Sequence, residues 1–388
     1  MMEVFNTPRK VIITCNRRLS PFLEQEVKDL GFNVVRLFNT GLELKVSVND
    51  CIKLNLNLRV ASQVLYEIKS FKAADANDLY KNLVMIPWEE LLPFDGYFSV
   101  TSNVHNETIT TPLFANVKVK DAIVDRIKEK KGVRPNTGPE LNRAVVHLHW
   151  MEDRAEIFLD TSGETLAKHG YRKHPGKAPM LEALATSTIL ATKWDGKSPF
   201  VNPMCGSGTL AIEAALIAQN RRPGLQRMNY SFMHFIGYNE EVFFEERRVL
   251  KEITDKTNLP EIIASDISEE AIDISIQNAK TAGVEHLITF ETCDFANTSI
   301  PDSPGVIMFN PEYGERLGVH NKLEVTYKRI GDFLKQDCKE YRGYIFTGNP
   351  DLAKKIGLRA SRRFEFFNGK LDCRLLQYEL YDGSKDRT

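Results

Sequence analysis

The sequence predicts an α/β protein whose C-terminal half is built on a mainly parallel sheet, preceded by an α+β region. Three observations carry this. From Pro179 to the end, helix-period and strand-period segments alternate, the pattern of βαβ units. Before Asp160, short β-like runs are mixed with amphipathic helices. The 388 residues, 42% hydrophobic and 27% charged, have an ordinary globular composition and suffice for two or three domains.

In the first 65 residues, β-like runs at Lys10 to Cys15 and Leu42 to Val48 flank a helix. Pro21, Leu23, Val27 and Leu30 form its apolar side and Gly31 stops it. Strands are expected next at Gln63 to Phe71, Tyr97 to Ser102, Ala144 to Met151 and Arg154 to Asp160. Between the second and third lies a helix, Asn116 to Lys130, with Val119, Ile123 and Ile127 on one side. Thr161 to Pro179 is polar and rich in Gly, Lys and His, which places the main boundary there. The expected domains are therefore 1–65, 66–160 and 161–388. Pro179 suits the first position of a helix whose buried face is Leu181, Leu184, Ala185, Thr188 and Ile189. Further strands are expected at Pro199 to Asn202, Glu261 to Ser265, Ile288 to Thr292, Val306 to Phe309, Gly343 to Thr347 and Leu375 to Leu380. Asn220 to Asn258, with a charged helical run from Glu240 to Thr254, reads as an insertion at the rim of the site.

No apolar run reaches the ~18 residues of a membrane span. Met1 to Lys10 has no apolar signal region. The six cysteines are scattered without a C-x-x-C pair, so no metal site or disulfide frame is expected, and a reducing cytoplasm is. The net charge of -1 gives no whole-chain attraction for nucleic acid, so local patches must supply it. One is Lys118, Lys120, Arg126, Lys128, Lys130, Lys131 and Arg134, against Asp121, Asp125 and Glu129. The other is Lys354, Lys355, Arg359, Arg362, Arg363, Lys370 and Arg374. Charge alone also fits a solvated face.

In an open parallel sheet, ligands bind beyond the carboxyl ends of the strands. Candidate cofactor groups fall at four such ends. After the first strand, Asn202 leads into Cys205-Gly206-Ser207-Gly208, where backbone can approach a ligand closely. Asp266, followed by Ile267, can accept from ribose hydroxyls. Asp294, with Phe295, can accept from an adenine amino group, and Asn310 ends the fourth strand. The third glycine of a dinucleotide fingerprint is missing and no G-K-[ST] follows, which argues for a cofactor without pyrophosphate. S-adenosyl-L-methionine, an adenosine joined to a zwitterionic amino acid, fits. An acid at a strand end is also an ordinary helix cap; the joint placement is what points to a site.

The segment Asn310-Pro311-Glu312-Tyr313 suits methylation of an exocyclic amine. Such an amine is a poor nucleophile because its lone pair is delocalised into the ring. Asn310 Oδ1 and the Pro311 carbonyl can accept its two N–H groups and turn the lone pair toward a methyl donor. Pro311 fixes φ and Tyr313 can stack on the base. The plain alternative is a turn after a strand.

These segments resemble the bacterial THUMP-domain methyltransferases, the group containing large-subunit ribosomal RNA guanine-N2 methyltransferases. The similarity runs along nearly the whole chain. Its markers are Lys168-His169-Gly170-Tyr171-Arg172 with Ala178-Pro179, Cys205-Gly206-Ser207-Gly208-Thr209, Ile212-Glu213-Ala214-Ala215, and Asn310-Pro311-x-Tyr313-Gly314-Glu315-Arg316-Leu317. The resemblance implies a ferredoxin-like N-terminal region and a THUMP RNA-binding domain. It also implies a Rossmann-like class I methyltransferase domain with a mixed seven-stranded sheet, whose last strand is antiparallel. It implies S-adenosyl-L-methionine as cofactor and 23S ribosomal RNA as partner, with no membrane and no metal. It also places Lys118, Lys120, Arg126, Lys128, Lys130 and Arg134 against RNA phosphates, and Tyr171 and Arg172 near the cofactor's methionine end or the RNA. Some relatives carry a second methyltransferase domain that this sequence lacks, so one modified position is expected.

Two residues depart from the family pattern. Asn202 stands where the family usually has Asp, which removes a charge that would attract the cofactor's ammonium. Glu312 stands where a second proline is usual, and is a candidate to accept from the guanine edge or to take the proton lost after transfer. Guanine-N2 methylation of tRNA, adenine-N6 methylation and a non-catalytic RNA-binding factor remain the alternatives.

Overall fold

The computed structural model describes residues 3–109, 111–174, 179–313 and 320–381. Its strands in chain order are β1 (Arg9–Cys15), β2 (Arg36–Phe38), β3 (Gly41–Val46), β4 (Ala61–Lys72), β5 (Tyr97–His105), β6 (Asn136–Thr137), β7 (Ala144–Met151), β8 (Arg154–Asp160), β9 (Phe200–Pro203), β10 (Ile262–Asp266), β11 (Ile288–Thr292), β12 (Val306–Phe309), β13 (Arg342–Thr347), β14 (Arg362–Asn368) and β15 (Leu371–Glu379). Its helices are α1 (Ser20–Asp29), α2 (Val48–Asn57), α3 (Ala76–Val84), α4 (Pro112–Lys131), α5 (Glu182–Ala191), α6 (Thr209–Ala218), α7 (Glu240–Glu252), α8 (Glu269–Ala282), α9 (His320–Gln336) and α10 (Pro350–Lys355). The chain forms two compact units. The first holds residues 1–15, 23–167 and 223–250, and the second holds residues 16–22, 168–222 and 251–388.

The first unit carries one eight-stranded sheet of order β2-β3-β1-β4-β8-β7-β5-β6. β4 is long enough to bond β1 along its first half and β8 along its second. The sequence boundary between residues 65 and 66 therefore lies inside a strand. Two helices escaped the sequence reading. α2 begins at a reciprocal capping box, in which the Asp50 N–H donates to Ser47 Oγ at 3.2 Å and the Ser47 N–H donates to Asp50 Oδ2 at 2.8 Å. α3 is capped by Asp75. α4 buries Val119, Ile123 and Ile127 as its periodicity predicts.

The insertion is divided between the two units. Pro223–Leu250 packs within the first unit. Tyr230, Phe232 and Phe243 are buried, with the Tyr230 and Phe232 rings stacked at 5.1 Å. Ser231 Oγ accepts from the Val145 N–H at 2.8 Å, and Ile236 N–H donates to the Leu91 carbonyl at 3.0 Å. Gly224 lies so close to Leu56 of α2 that a Cβ there would collide with its backbone. The charge pattern showed the helix; the aromatic cluster ahead of it decided what it packs on.

The second unit has the mixed seven-stranded sheet β11-β10-β9-β12-β13-β15-β14. The five strands from β11 to β13 are parallel, and β15 returns antiparallel to β13. Val201, Ile263, Ile307, Phe309 and Ile345 from the sheet meet Tyr327, Ile330, Phe333 and Leu334 of α9 in a continuous core. β14 was read from the sequence only as part of a basic cluster, because arginines hide the alternation of its phenylalanines. Pro179 does not start a helix; α5 begins at Glu182 after the N-cap Leu181. The Met180 carbonyl accepts from the Arg172 guanidinium at 2.6 Å instead of serving the first turn.

Candidate functional site

Four parallel strands end on one side of the second unit's sheet, and each delivers polar groups there. β9 passes into a tight turn before α6. Met204 takes φ 55, Gly206 φ 57 and Gly208 φ 79. A non-glycine in the left-handed region costs energy and marks a position held by its surroundings. Gly208 has no space for a side chain, since a Cβ would lie 3.0 Å from that of Ser275, whereas Gly206 faces open space. The turn is pinned from β10 and α8. The Cys205 N–H donates to the Ser265 carbonyl at 2.9 Å and the Gly206 N–H to Asp266 Oδ2 at 3.0 Å. Ser275 Oγ donates to the Gly206 carbonyl at 2.7 Å and Asn278 Nδ2 to that of Ser207 at 3.2 Å. Burial pushes the Cys205 thiol up to about 12, so it is no thiolate at neutral pH.

Asp266 ends β10 half-buried, its other oxygen accepting from the Ser268 N–H at 3.0 Å. Ile267 beside it is 73% exposed, an apolar surface at the rim. Asp294 follows β11 and accepts from the Ala296 N–H at 3.0 Å and from Arg329 at 2.7 Å. Burial pushes its carboxyl up, but these hydrogen bonds and the Arg329 charge outweigh it and hold the carboxyl below its usual range. Phe295 does not offer a free face. Its ring is buried 6.0 Å from that of Phe309 and 6.1 Å from that of Phe333, with the Arg329 guanidinium over it at 4.9 Å.

The two asparagines are the telling pair. Asn202 is 1% exposed, and its Nδ2 donates to the Met308 carbonyl at 2.9 Å. A carbonyl only accepts, which fixes the amide orientation and leaves Oδ1 as the free end. That oxygen is buried without a partner among the described residues, and so is Asn310 Oδ1. The strands that carry them, β9 and β12, are neighbours, with Val201 opposite Ile307. A buried acceptor left unmade costs about 1–3 kcal/mol, so two at adjacent strand ends are candidate acceptors for a ligand's donors. Beyond Asn310, Pro311 is buried, Glu312 exposed and Tyr313 half-buried. Tyr313 Oη accepts from Asn368 Nδ2 at 2.9 Å, and its ring meets Phe346 edge-on at 6.5 Å. Gly314, Glu315, Arg316 and Leu317, like Ala178, lie outside the described residues.

The Lys168 to Arg172 motif builds the wall behind the turn. Glu213 of α6 is buried and accepts from His169 Nδ1 at 2.9 Å, Tyr171 Oη at 2.8 Å and Thr186 Oγ1 at 2.7 Å. Burial pushes its carboxyl up, but the His169 charge and the three hydrogen bonds outweigh it and hold the carboxyl below its ordinary value. Arg172, expected near the cofactor's methionine end or the RNA, is 12% exposed at the start of α6, donating to Thr209 Oγ1 at 2.8 Å and lying 3.4 Å from Glu182. Asn278 donates to the His174 carbonyl at 3.1 Å as well as to Ser207, which ties this motif to the glycine turn. Ser275, Asn278 and Arg329 escaped the sequence reading. Polar Ser275 and Asn278, i and i+3 on the buried face of the helix after Asp266, were the signal for two of them.

In the first unit, Lys118 and Lys128 of α4 and Arg134 beyond its end line one cleft of about 360 Å³ with Tyr80, Asp121 and Asp125. Lys120 lies 3.9 Å from Asp121, and Lys130 is paired with Glu129 at 3.0 Å. Arg126 is held by both oxygens of Glu89 at 2.7 and 3.0 Å, so it braces α4 instead of offering a free cation. Among the described residues, no group of three His, Cys, Asp or Glu could hold a metal ion, and no helix is long and apolar enough to cross a membrane.

The family described as RMKL-like, methyltransferase domain matches residues 169–377, the THUMP domain family matches 73–160, and the RlmL ferredoxin-like domain family matches 10–65. The chain is 35% identical over 97% of its length to a ribosomal RNA large subunit methyltransferase K/L of Syntrophotalea carbinolica, covering 54% of that protein. It is 33% identical over 93% of its length to the protein so named in Psychromonas ingrahamii, covering 49% of it. The chain thus spans about half the length of the curated relatives it matches. Among solved structures it is similar to a putative methyltransferase complexed with SAH, with TM-score 0.87, 26% identity, and 98% of this chain and 100% of that one covered. A predicted N6-adenine-specific DNA methylase from Listeria monocytogenes gives TM-score 0.86 at 30% identity, with 96% of this chain and 97% of that one covered.

Proposed function

Because the chain belongs to the RMKL-like methyltransferase family, we propose that it transfers a methyl group from S-adenosyl-L-methionine to the N2 amine of a guanine in 23S ribosomal RNA. The observation that carries this is the pair of buried, unpartnered oxygens on Asn202 and Asn310 beside the open turn at Gly206. They fit the cofactor and its acceptor. Asn202 Oδ1 takes the ammonium of the methionine part. Cys205, Gly206, Ser207 and Gly208 leave room for that part, and the first-turn N–H groups of α6 favour its carboxylate. Asp266 holds the ribose hydroxyls, Ile267 lies under the adenine, and Asp294 takes its amino group, with Phe295 holding the floor. Once bound, the cofactor supplies an electrophilic methyl group.

The protein's own contribution is alignment and desolvation of the amine. Asn310 Oδ1 and the Pro311 carbonyl accept its two N–H groups, and Tyr313, fixed by Asn368, stacks on the base. Glu312 accepts from the N1–H of guanine, which adenine lacks, and takes the proton that the amine loses on methylation. A base inside folded RNA reaches Asn310 only flipped out or already unpaired. Lys118, Lys128 and Arg134, with Lys120 and Lys130, hold RNA phosphates, so binding weakens with salt.

Calorimetry with S-adenosyl-L-methionine separates an enzyme from a non-catalytic RNA-binding factor. Asn202→Ala is expected to weaken that binding by about 10- to 100-fold, the value of one hydrogen bond to a charged group. Unchanged affinity would remove Asn202 from the cofactor site. The substrate is tested by mass mapping of RNA from a strain lacking the gene, with rescue by wild type. Loss of one N2-methylguanosine from 23S RNA supports the reading; a missing tRNA methyl with intact 23S RNA overturns it. The Listeria relative's description favours adenine N6 as the second reading, and loss of an N6-methyladenosine would establish it.

A further inference from the structure

The second basic cluster lies in the second unit and takes no part in the site above. In the β14–β15 pair, Arg363 stands opposite Leu376, Glu365 opposite Arg374 and Phe367 opposite Asp372, so these six share one face. Between that face and α10 runs a cleft of about 500 Å³, with Leu358, Ala360 and Tyr378 in its wall and Arg359, Arg363 and Arg374 among its cations. Its lining includes Thr347 and Gly348, at the end of β13. β13 lies parallel beside β12, with Ile345 opposite Phe309, so the cleft reaches the same sheet end as Asn310.

The cations differ in how far they are neutralised. Arg374 pairs with Asp372 at 2.6 Å and Glu365 at 3.5 Å. Arg359 and Arg363 are exposed, and neither forms a hydrogen bond or ion pair with a described residue. Arg17, which belongs to this unit, extends the band: its guanidinium lies 4.4 Å over the Phe367 ring and has no acidic partner among the described residues. Guanidinium forks match phosphate oxygens in two-point geometry, and an apolar wall suits the sugars between phosphates.

We propose that this cleft holds the phosphodiester backbone of the RNA next to the base delivered to Asn310, with Arg359 and Arg363 on successive phosphates. The proposal rests on the RNA-methyltransferase reading. It adds a nucleic-acid contact on the catalytic unit, separate from the cations of α4.

The test measures binding of the full chain to a labelled RNA stem-loop by fluorescence anisotropy across a potassium chloride series. Arg359→Gln/Arg363→Gln is expected to weaken binding on the order of tenfold at ~0.1 M salt. It should make the slope of log K against log salt shallower by about 1.4, two contacts at about 0.7 each. Arg359→Glu/Arg363→Glu is expected to weaken it further. Calorimetry with S-adenosyl-L-methionine, unchanged in both, shows that the unit is folded. Lys251→Gln/Lys256→Gln, which removes the same charge from exposed positions elsewhere, is expected to leave RNA affinity unaltered. Equal losses in the two neutralised pairs, or wild-type affinity and slope in the arginine pair, overturn the cleft while the RNA reading stands. A wild-type chain that binds the cofactor but no RNA overturns both.

Discussion

Asn310→Ala is expected to lower kcat/KM for methyl transfer by about 10²- to 10³-fold, the usual loss when one preorganised polar contact to the reacting centre is removed. Asn310 Oδ1 is buried at the end of β12 without a partner among the described residues, so the site already bears the desolvation of that oxygen before substrate arrives. On the proposed reading an amine N–H offsets it. Alanine removes the acceptor and leaves the fold of β12 unchanged, since the strand is held by its ladder to β9 and β13. Cofactor affinity should fall far less than in Asn202→Ala, and this contrast assigns the two oxygens to different ligands. The measurement is single-turnover methyl incorporation into undermethylated 23S RNA, with calorimetry alongside. An alanine variant that keeps more than about a tenth of wild-type kcat/KM would remove Asn310 from the chemistry. In the same assay, Glu312→Ala and Glu312→Gln are expected to lower the preference for guanine over adenine substrates. If both turnover and preference stayed at wild-type values, Glu312 would be a solvent-facing bystander.

The largest stability effect is expected at Glu213. Leucine there leaves His169, Tyr171 and Thr186 with buried donors and no acceptor, so a loss of about 3–5 kcal/mol is expected. For a unit of this size that lowers the apparent melting temperature by roughly 10 °C. The effect depends on pH in a definite direction. The folded carboxyl titrates below its ordinary value of 4.5, so its contribution is complete above that value and disappears as pH falls through the folded one. Melting curves of wild type and Glu213→Leu should therefore lie farthest apart at neutral pH and converge in acid. A gap that stays constant with pH would mean that the carboxylate charge contributes nothing.

Much of the second unit was legible because its signals are local. Ile288–Thr292 and Val306–Phe309 appear as strands at the bounds read from periodicity, and the glycine turn announces itself through residues that only a tight reversal demands. β14 was hidden because neither face is uniformly apolar: Arg363 and Glu365 share one with Phe367, and Arg362 shares the other with Phe364 and Phe366, so composition reads a charged patch. α2 was hidden because its buried Asn55 and Asn57 break the apolar stripe. Asn57 donates to the Lys53 carbonyl, and Asn55 to the Cys51 carbonyl and, across the fold, to the Thr161 hydroxyl.

By itself the sequence determined what chemistry is available: a strand-end amide before a glycine turn, acids at the next strand ends, and an Asn-Pro loop suited to an amine. Those depend on residue type and short-range geometry, which a linear pattern contains. Only the tertiary structure decided which groups are free to act. Arg126 and Arg172 carry the same charge as Arg359 and Arg363, yet the first two are spent on Glu89 and on the base of α6. Phe295 is as aromatic as Tyr313, yet its ring is locked in the core. Asn202 became informative when Met308 claimed its nitrogen and left the oxygen alone. Availability is a property of partners, and partners come from strands and helices far apart in the chain.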